Sequence, residues 1–366
     1  MTRKHPINFR KEEISNVMAR FRANESSSLV GVGSVGKSNL LHHMMDRDTI
    51  KHYMGDKSEK FIPIMIDPNL LGPTDGESVQ FRCWAGYELL MHRMFISLHP
   101  FEMLDADAQM FEQIYRKLQD GNNPLYAYMG LRYFELGLEA FFRRGYQLAF
   151  LFDEFEVMLD SMPPRFFQSL RGLRDGHKKQ LSFLTFSREP VPVLIDKMKL
   201  PELEIEPFTE LFTDNVFYVG PYNHEDASNM IHSLIKRNPL ARISQDAGTF
   251  LLHASGGFAG ILRAGFRELD VLGHITPSQI EDPALIERLA KRSPVRAECE
   301  TIWKSLTDVE QRVLASVARR SAEQVTDEAE RAISLLVQKH LLRVNRELQA
   351  LQIEPPVFDF YLRSIV

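Results

Sequence analysis

Gly31-Val32-Gly33-Ser34-Val35-Gly36-Lys37-Ser38 is the stretch whose reading decides the fold. Its spacing is Gly, four residues, Gly, Lys, Ser, the P-loop pattern. Each position has a physical task. The glycines let the backbone turn so that successive N–H groups face phosphate oxygens. A following helix adds its positive N-terminal end at the same place. Lys37 reaches the outer phosphates, and the Ser38 hydroxyl is of the type that ligates Mg²⁺. The nucleotide-contacting set is therefore Gly31, Gly33, Ser34, Val35, Gly36, Lys37, Ser38 and Asn39. The flanks agree with the pattern. Ser27–Val30 reads as a short strand entering the loop, and 37–45 as the helix leaving it.

Downstream, Gln147-Leu148-Ala149-Phe150-Leu151-Phe152 is a mostly apolar run ending in Asp153-Glu154. Such a run suits a central parallel strand covered on both faces. Two acids at a strand end can simply cap it and begin a helix. With the loop strand expected beside it, Asp153 instead becomes a Mg²⁺ ligand, and Glu154 the base that activates an attacking water. Glu156 and Asp160 read as solvated helix residues. Leu181–Phe186 is a further strand, followed by Ser187-Arg188. The planar fork of Arg188 can bond phosphate oxygens at two points and report a terminal phosphate. Lys37, Glu154 and Arg188 are thus the catalytic candidates. Arg171 and Arg174 are candidates for a finger reaching a neighbouring subunit.

Around these motifs the chain alternates strand and helix for two-thirds of its length, then turns all-helical. Phe61–Ile66 is a strand whose Pro63 suits a sheet edge. Helices are expected over 11–22, 78–97, 108–119, 125–143 and 164–178, and a strand over 216–219. Helices over 224–237, 244–254, 257–269 and 276–292 form a lid. After a linker at Arg292-Ser293-Pro294, helices over 296–305, 308–318 and 327–339 precede extended pieces at 341–345 and 349–353, the outline of a winged helix. The fold class is α/β: a P-loop NTPase core with a parallel sheet (1–220), an α-helical lid (221–292) and a winged-helix domain (293–366). The 366 residues, 44% hydrophobic and 25% charged, suffice to bury a core in each.

A net charge of −5 names no nucleic-acid or membrane partner. Cys83 and Cys299 are too few and too far apart for a disulfide framework or paired metal spacing. No run is long and apolar enough for a membrane span, and no signal region opens the chain, so a cytoplasmic location is expected. The adjacent His42 and His43 point in different directions on a helix and read as packing or surface residues. The 25 phenylalanines read as core.

The set Gly31–Ser38, Leu151-Phe152-Asp153-Glu154, Thr185-Phe186-Ser187-Arg188 and Gly220-Pro221 resembles the STAND class of signal-transduction ATPases, a branch of the AAA+ superfamily. The resemblance implies ATP/ADP and Mg²⁺ as cofactors and a sensor role for Arg188. It also implies an adenine contact for Pro221, although the family's turn has a residue between its glycine and proline. Phe9-Arg10-Lys11-Glu12-Glu13-Ile14 is similar to the family's adenine-flanking motif but lacks its usual glycine. Arg263, after Gly256-Gly257-Phe258, lies where AAA+ relatives place a second sensor. No guanine-reading Asn/Thr-Lys-x-Asp signature is evident, which points to adenine. The expected activity is a slow Mg²⁺-dependent ATPase acting as a nucleotide-operated switch. Its partners would be an effector subunit or further copies of itself, and no membrane.

The competing reading is a DNA-handling AAA+ ATPase, similar to origin-binding initiators or transposition regulators. Residues 296–366 carry ten Lys or Arg against eleven Asp or Glu. The helix beginning Thr326-Asp327-Glu328-Ala329-Glu330 opens on three acids and would meet phosphates unfavourably. Arg343 and Arg346 are the basic exceptions. On this charge pattern DNA is not the favoured partner.

Overall fold

The computed structural model describes residues 5–74, 76–98, 105–119, 129–238, 243–321, 326–345 and 350–366. The chain divides into two compact units. One comprises residues 1–29 and 38–217, and the other 30–37 and 218–366. Residues 221–292 and 293–366, read from the sequence as lid and winged-helix domains, fall in the same unit.

The strands are β1 (Ser27–Val30), β2 (Phe61–Ile66), β3 (Gln147–Phe152), β4 (Leu181–Ser187) and β5 (Val216–Tyr218). They form one sheet in the order β2-β3-β4-β1-β5, with β2, β3 and β4 paired in parallel. Pro63 therefore sits on an edge strand, where its missing N–H leaves no ladder bond unmade. All six residues of β3 are buried, as its apolar run requires. One expectation is corrected. β3 does not lie beside the loop strand, because β4 is inserted between β3 and β1. Thr185 Oγ1 on β4 donates a 2.9 Å hydrogen bond to Ser28 Oγ on β1.

The core of this unit is built on phenylalanine. Phe134, Phe150, Phe152, Phe155, Phe166, Phe167, Phe183 and Phe208 are all buried in one cluster. Phe183 meets Phe150, Phe152 and Phe208 at ring centroid distances of 6.3, 6.1 and 5.5 Å. Helices Val79–Leu98, Asp105–Gln119 and Gly130–Phe142 feed Tyr87, Leu90, Met91, Met94, Phe111 and Phe141 into the same cluster. The inner faces of this long insertion are thus core. Of the helix expected over 125–143, residues 125–128 lie outside the described residues. Short helices at Arg47–Met54, Val191–Met198 and Glu202–Thr209 were not anticipated. Each has only eight residues, too short for periodicity to stand out.

The second unit carries helices His224–Arg237, Gln245–Ser255, Ala259–Phe266, Leu269–Leu272 and Pro283–Ala290. The helix expected over 276–292 is shorter because Asp282 caps it, accepting from Ala284 N, with Pro283 at its first position. Ser293–Lys304 follows at once, with Pro294 in its first turn, so the expected linker is a helix start. Helices Asp308–Arg319 and Asp327–Gln338 are joined by a buried Lys339 Nζ–Glu310 Oε1 pair at 2.6 Å. Strands β6 (Leu342–Asn345) and β7 (Ala350–Ile353) form an antiparallel ribbon, and an unanticipated helix, Pro356–Ile365, follows. Arg346 lies outside the described residues. Among the described residues no helix is long and apolar enough to cross a membrane.

Candidate functional site

The motif residues fall in both units, Gly31–Lys37 in the second and Ser38, Asn39, Asp153, Glu154 and Arg188 in the first. The glycine loop turns through two left-handed positions, Ser34 at φ 63° and Gly36 at φ 94°. A non-glycine residue there costs on the order of 1 kcal/mol, so Ser34 must be held. Its carbonyl accepts a 2.8 Å hydrogen bond from Gly260 N. Its Oγ donates to Glu298 Oε2 and lies 3.4 Å from Glu298 O. The loop also runs close under its neighbours. A Cβ on Gly33 would stand 2.8 Å from Thr301 Cγ2, and one on Gly36 2.9 Å from Tyr222 Oη. Only glycine leaves room at both, which gives the motif a packing reason as well as a chemical one. Val35 is fully buried. Lys37 opens the helix Lys37–Met44.

Pro221 is half-buried between buried Gly220 and Tyr222, and Tyr222 N donates 2.9 Å to Gly257 O. Arg263 is exposed, one turn beyond Gly260 on the helix whose first turn bonds the loop.

In the first unit, Ser38 is exposed, with His42 Nδ1 2.6 Å from its carbonyl oxygen. Asn39 is half-buried behind it. His43 is buried against Phe9, with ring centroids 5.4 Å apart. Burial holds its pKa below the usual 6.5, against the raising influence of Asp46 and the Ile7 and Pro6 carbonyls. Arg10, in the segment resembling an adenine-flanking motif, is buried and pairs with Glu13 at 2.6 Å.

The end of β3 is the most connected point. Asp153 N donates 3.0 Å to Ile66 O at the end of β2, and Asp153 Oδ1 accepts 2.9 Å from Glu154 N. Glu154 turns the chain through φ 43° into the helix Phe155–Ser161. Each of its two oxygens has a neighbour. Asn69 Nδ2 donates 2.8 Å to Oε2, and Arg188 Nη2 lies 3.8 Å from Oε1. Asn69 itself is fixed by Asp67, whose Oδ1 accepts from both the backbone and the side-chain nitrogen at 3.0 Å. Arg188 Nε lies 3.2 Å from Glu156 Oε1, and the Glu156 side chain is only 13% exposed. Glu156 is therefore no solvated helix residue. It is the nearer of two carboxylates that hold the candidate sensor arginine.

The structure brings Glu154 and Arg188 together, a contact the sequence did not indicate, and adds Asn69 and Glu156. Ser187 faces inward, its Oγ donating 2.7 Å to Glu189 O. Arg171 and Arg174 are tied within the unit, to Pro207 O at 2.8 Å and Asn24 O at 2.5 Å. A signal for Asn69 existed. A polar residue three places past the end of a parallel strand lies at the carboxyl end of the sheet, where α/β folds bind ligands.

Among the described residues no group of three or more His, Cys, Asp or Glu converges as an ion site. The donor set nonetheless suits Mg²⁺. Ser38 and Asp153 supply a hydroxyl and a carboxylate, and Mg²⁺ takes one or two such hard oxygens beside phosphates and waters.

No family model matches the chain, and no curated protein does. Solved structures do. A Walker-type ATPase of Pyrococcus abyssi is 15% identical, with a TM-score of 0.53, over 97% of this chain and 95% of that one. The fold is that of a P-loop ATPase. The ORC2 protein of Aeropyrum pernix gives a TM-score of 0.48 at 10% identity, over 97% and 93% of the two chains. The Cdc6p protein of Pyrobaculum aerophilum gives 0.41 at 12% identity, over 99% and 96%.

Proposed function

We propose that this chain is an ATP-binding, Mg²⁺-dependent ATPase of AAA+ type that couples nucleotide turnover to the handling of duplex DNA. The observation that carries the ATPase reading is the carboxylate of Glu154 at the tip of β3, gripped by Asn69 and Arg188 in a chain that also holds a complete phosphate loop. In this reading Lys37 and the loop backbone bind the phosphates, while Ser38 and Asp153 hold Mg²⁺. Glu154 orients the attacking water, and Arg188 reads the terminal phosphate once it leaves Glu156. Arg263 approaches the phosphates from the lid, and Pro221 packs on adenine.

The likeness to the Pyrococcus abyssi Walker-type ATPase runs through the C-terminal unit as well as the core, which supports the ATPase part of the proposal; the duplex-DNA part rests on the exposed basic residues of that unit. If the helices Ser293–Lys304, Asp308–Arg319 and Asp327–Gln338 act with the ribbon as a winged helix, the acidic first turn of Asp327–Gln338 does not read DNA. The exposed Arg343 on the ribbon and the exposed Arg319 and Arg320 at the end of Asp308–Arg319 are the more suitable groups to meet phosphates. The switch reading keeps one supporting observation, the bond from Ser34 to Glu298, which ties the phosphate loop to a C-terminal helix.

Turnover and duplex binding measured together, in low and high salt, test the proposal. We expect hydrolysis that disappears in Glu154→Gln, and a duplex affinity that falls steeply with salt. Turnover without any duplex binding, accompanied by ATP-dependent assembly, would favour the switch instead.

A further inference from the structure

Glu298 lies far from the loop in sequence and belongs to no motif. It sits midway along the helix Ser293–Lys304 and is half-buried. Its carboxylate accepts from Ser34 Oγ, in the middle of the phosphate loop, and its own carbonyl oxygen lies 3.4 Å from the same hydroxyl. Thr301, one turn further on, covers Gly33. Gly260 N closes the other side by donating 2.8 Å to Ser34 O. The loop is therefore gripped at its one non-glycine left-handed residue by an acid. Among the described residues no lysine or arginine pairs with that acid. The neighbouring Lys304 is taken by Glu300 at 2.6 Å, and Arg296 lies over the Tyr361 ring.

A phosphate loop concentrates N–H groups and a lysine to attract negative charge. An uncompensated carboxylate bonded to that loop opposes the attraction. The opposition grows with the charge of the ligand, and a triphosphate brings one more unit than a diphosphate. We infer that Glu298 is a specificity-determining residue of the loop: through Ser34 it biases the site toward the diphosphate and makes triphosphate binding work against its carboxylate. The inference rests on the nucleotide reading of the loop proposed above. By reciprocity, a bound triphosphate weakens the hold of Glu298 on Ser34. It is a positioning residue, acting on the ligand only through Ser34 and through its charge.

Calorimetric titration of the full chain with ATP and with ADP separates the contributions. Glu298→Gln keeps a hydrogen-bond acceptor for Ser34 and removes the charge. It is expected to tighten ATP on the order of fivefold, and ADP by clearly less. Glu298→Ala also removes the bond that holds Ser34 in its left-handed conformation, and is expected to gain less than Gln. An unchanged ratio of ATP to ADP affinity in Glu298→Gln, with Lys37→Ala still abolishing binding, overturns the inference and leaves the site intact. If Lys37→Ala binds nucleotide as wild type does, the loop is not the nucleotide site, and the inference falls with the reading beneath it.

Discussion

Asn69 and Glu154, 85 residues apart, meet through a 2.8 Å hydrogen bond from the amide nitrogen to the carboxylate. The amide comes from the turn after β2 and the acid from the turn after β3, adjacent parallel strands in register. The bond restrains one of the two oxygens of the carboxylate proposed to activate water. Asn69→Ala should therefore raise the basal hydrolysis rate severalfold, while Glu154→Gln should lower it by about two orders of magnitude or more. Single-turnover assays of both variants would check this. A loss of activity in Asn69→Ala would mean that the amide orients the acid for catalysis.

Arg188 is divided between Glu156 at 3.2 Å and Glu154 at 3.8 Å. Removing the nearer partner frees the guanidinium for the nucleotide. Glu156→Gln should lower KM for ATP with little change in kcat, whereas Arg188→Ala should lower kcat. Equal effects of Glu156→Gln on both parameters would place the pair outside the reaction.

The Glu310–Lys339 pair is almost wholly buried, and Glu310 Oε2 also accepts from Thr307 N and Oγ1. Lys339→Met alone strands a buried carboxylate and should cost about 3 kcal/mol or more. The double replacement Glu310→Leu with Lys339→Met should recover part of that loss. Denaturant melts followed by far-UV circular dichroism would measure both.

Burial holds His43 below its ordinary pKa, so the unfolded chain takes up a proton before the folded one as the pH falls. Stability should decline as the pH drops from about 6.5 toward the folded value, and level off below it. His43→Gln should flatten that stretch of the profile. Melting temperatures between pH 7.5 and 5 would reveal the slope.

Phe150 packs between Phe134 and Phe183 with no exposed surface. Phe150→Ala should destabilise the first unit by about 3–5 kcal/mol, readable as a lowered denaturation midpoint.

How much of this was legible in the sequence depended on distance along the chain. Gly31–Ser38 and the run ending at Asp153 carry their meaning within eight residues, and both could be read directly. Pro63 even gave the sheet edge, because a missing N–H constrains the strand wherever it lies. The insertion of β4 between β3 and β1 could not be read, since strand order is set by crossover connections and not by the strands' own residues. The partners of the site residues were hidden for the same reason. Asn69 reaches Glu154 across 85 positions and Glu298 reaches Ser34 across 264, so neither pairing leaves a local pattern. Glu156 was misread because spacing alone does not reveal that its helix turns it toward Arg188.

The grouping of Val30–Lys37 with residues 218–366 bears on how the protein can be dissected. A gene fragment ending near residue 217 would keep every residue of the motif and still lose what shapes it. Gly31 would lack Val219, Gly33 would lack Thr301, and Gly36 would lack Tyr222. Such a fragment should express as a folded α/β body with a slack, low-affinity loop. The smallest functional piece of this protein is thus set by what rests on the glycines, and the conventional domain cut would discard it.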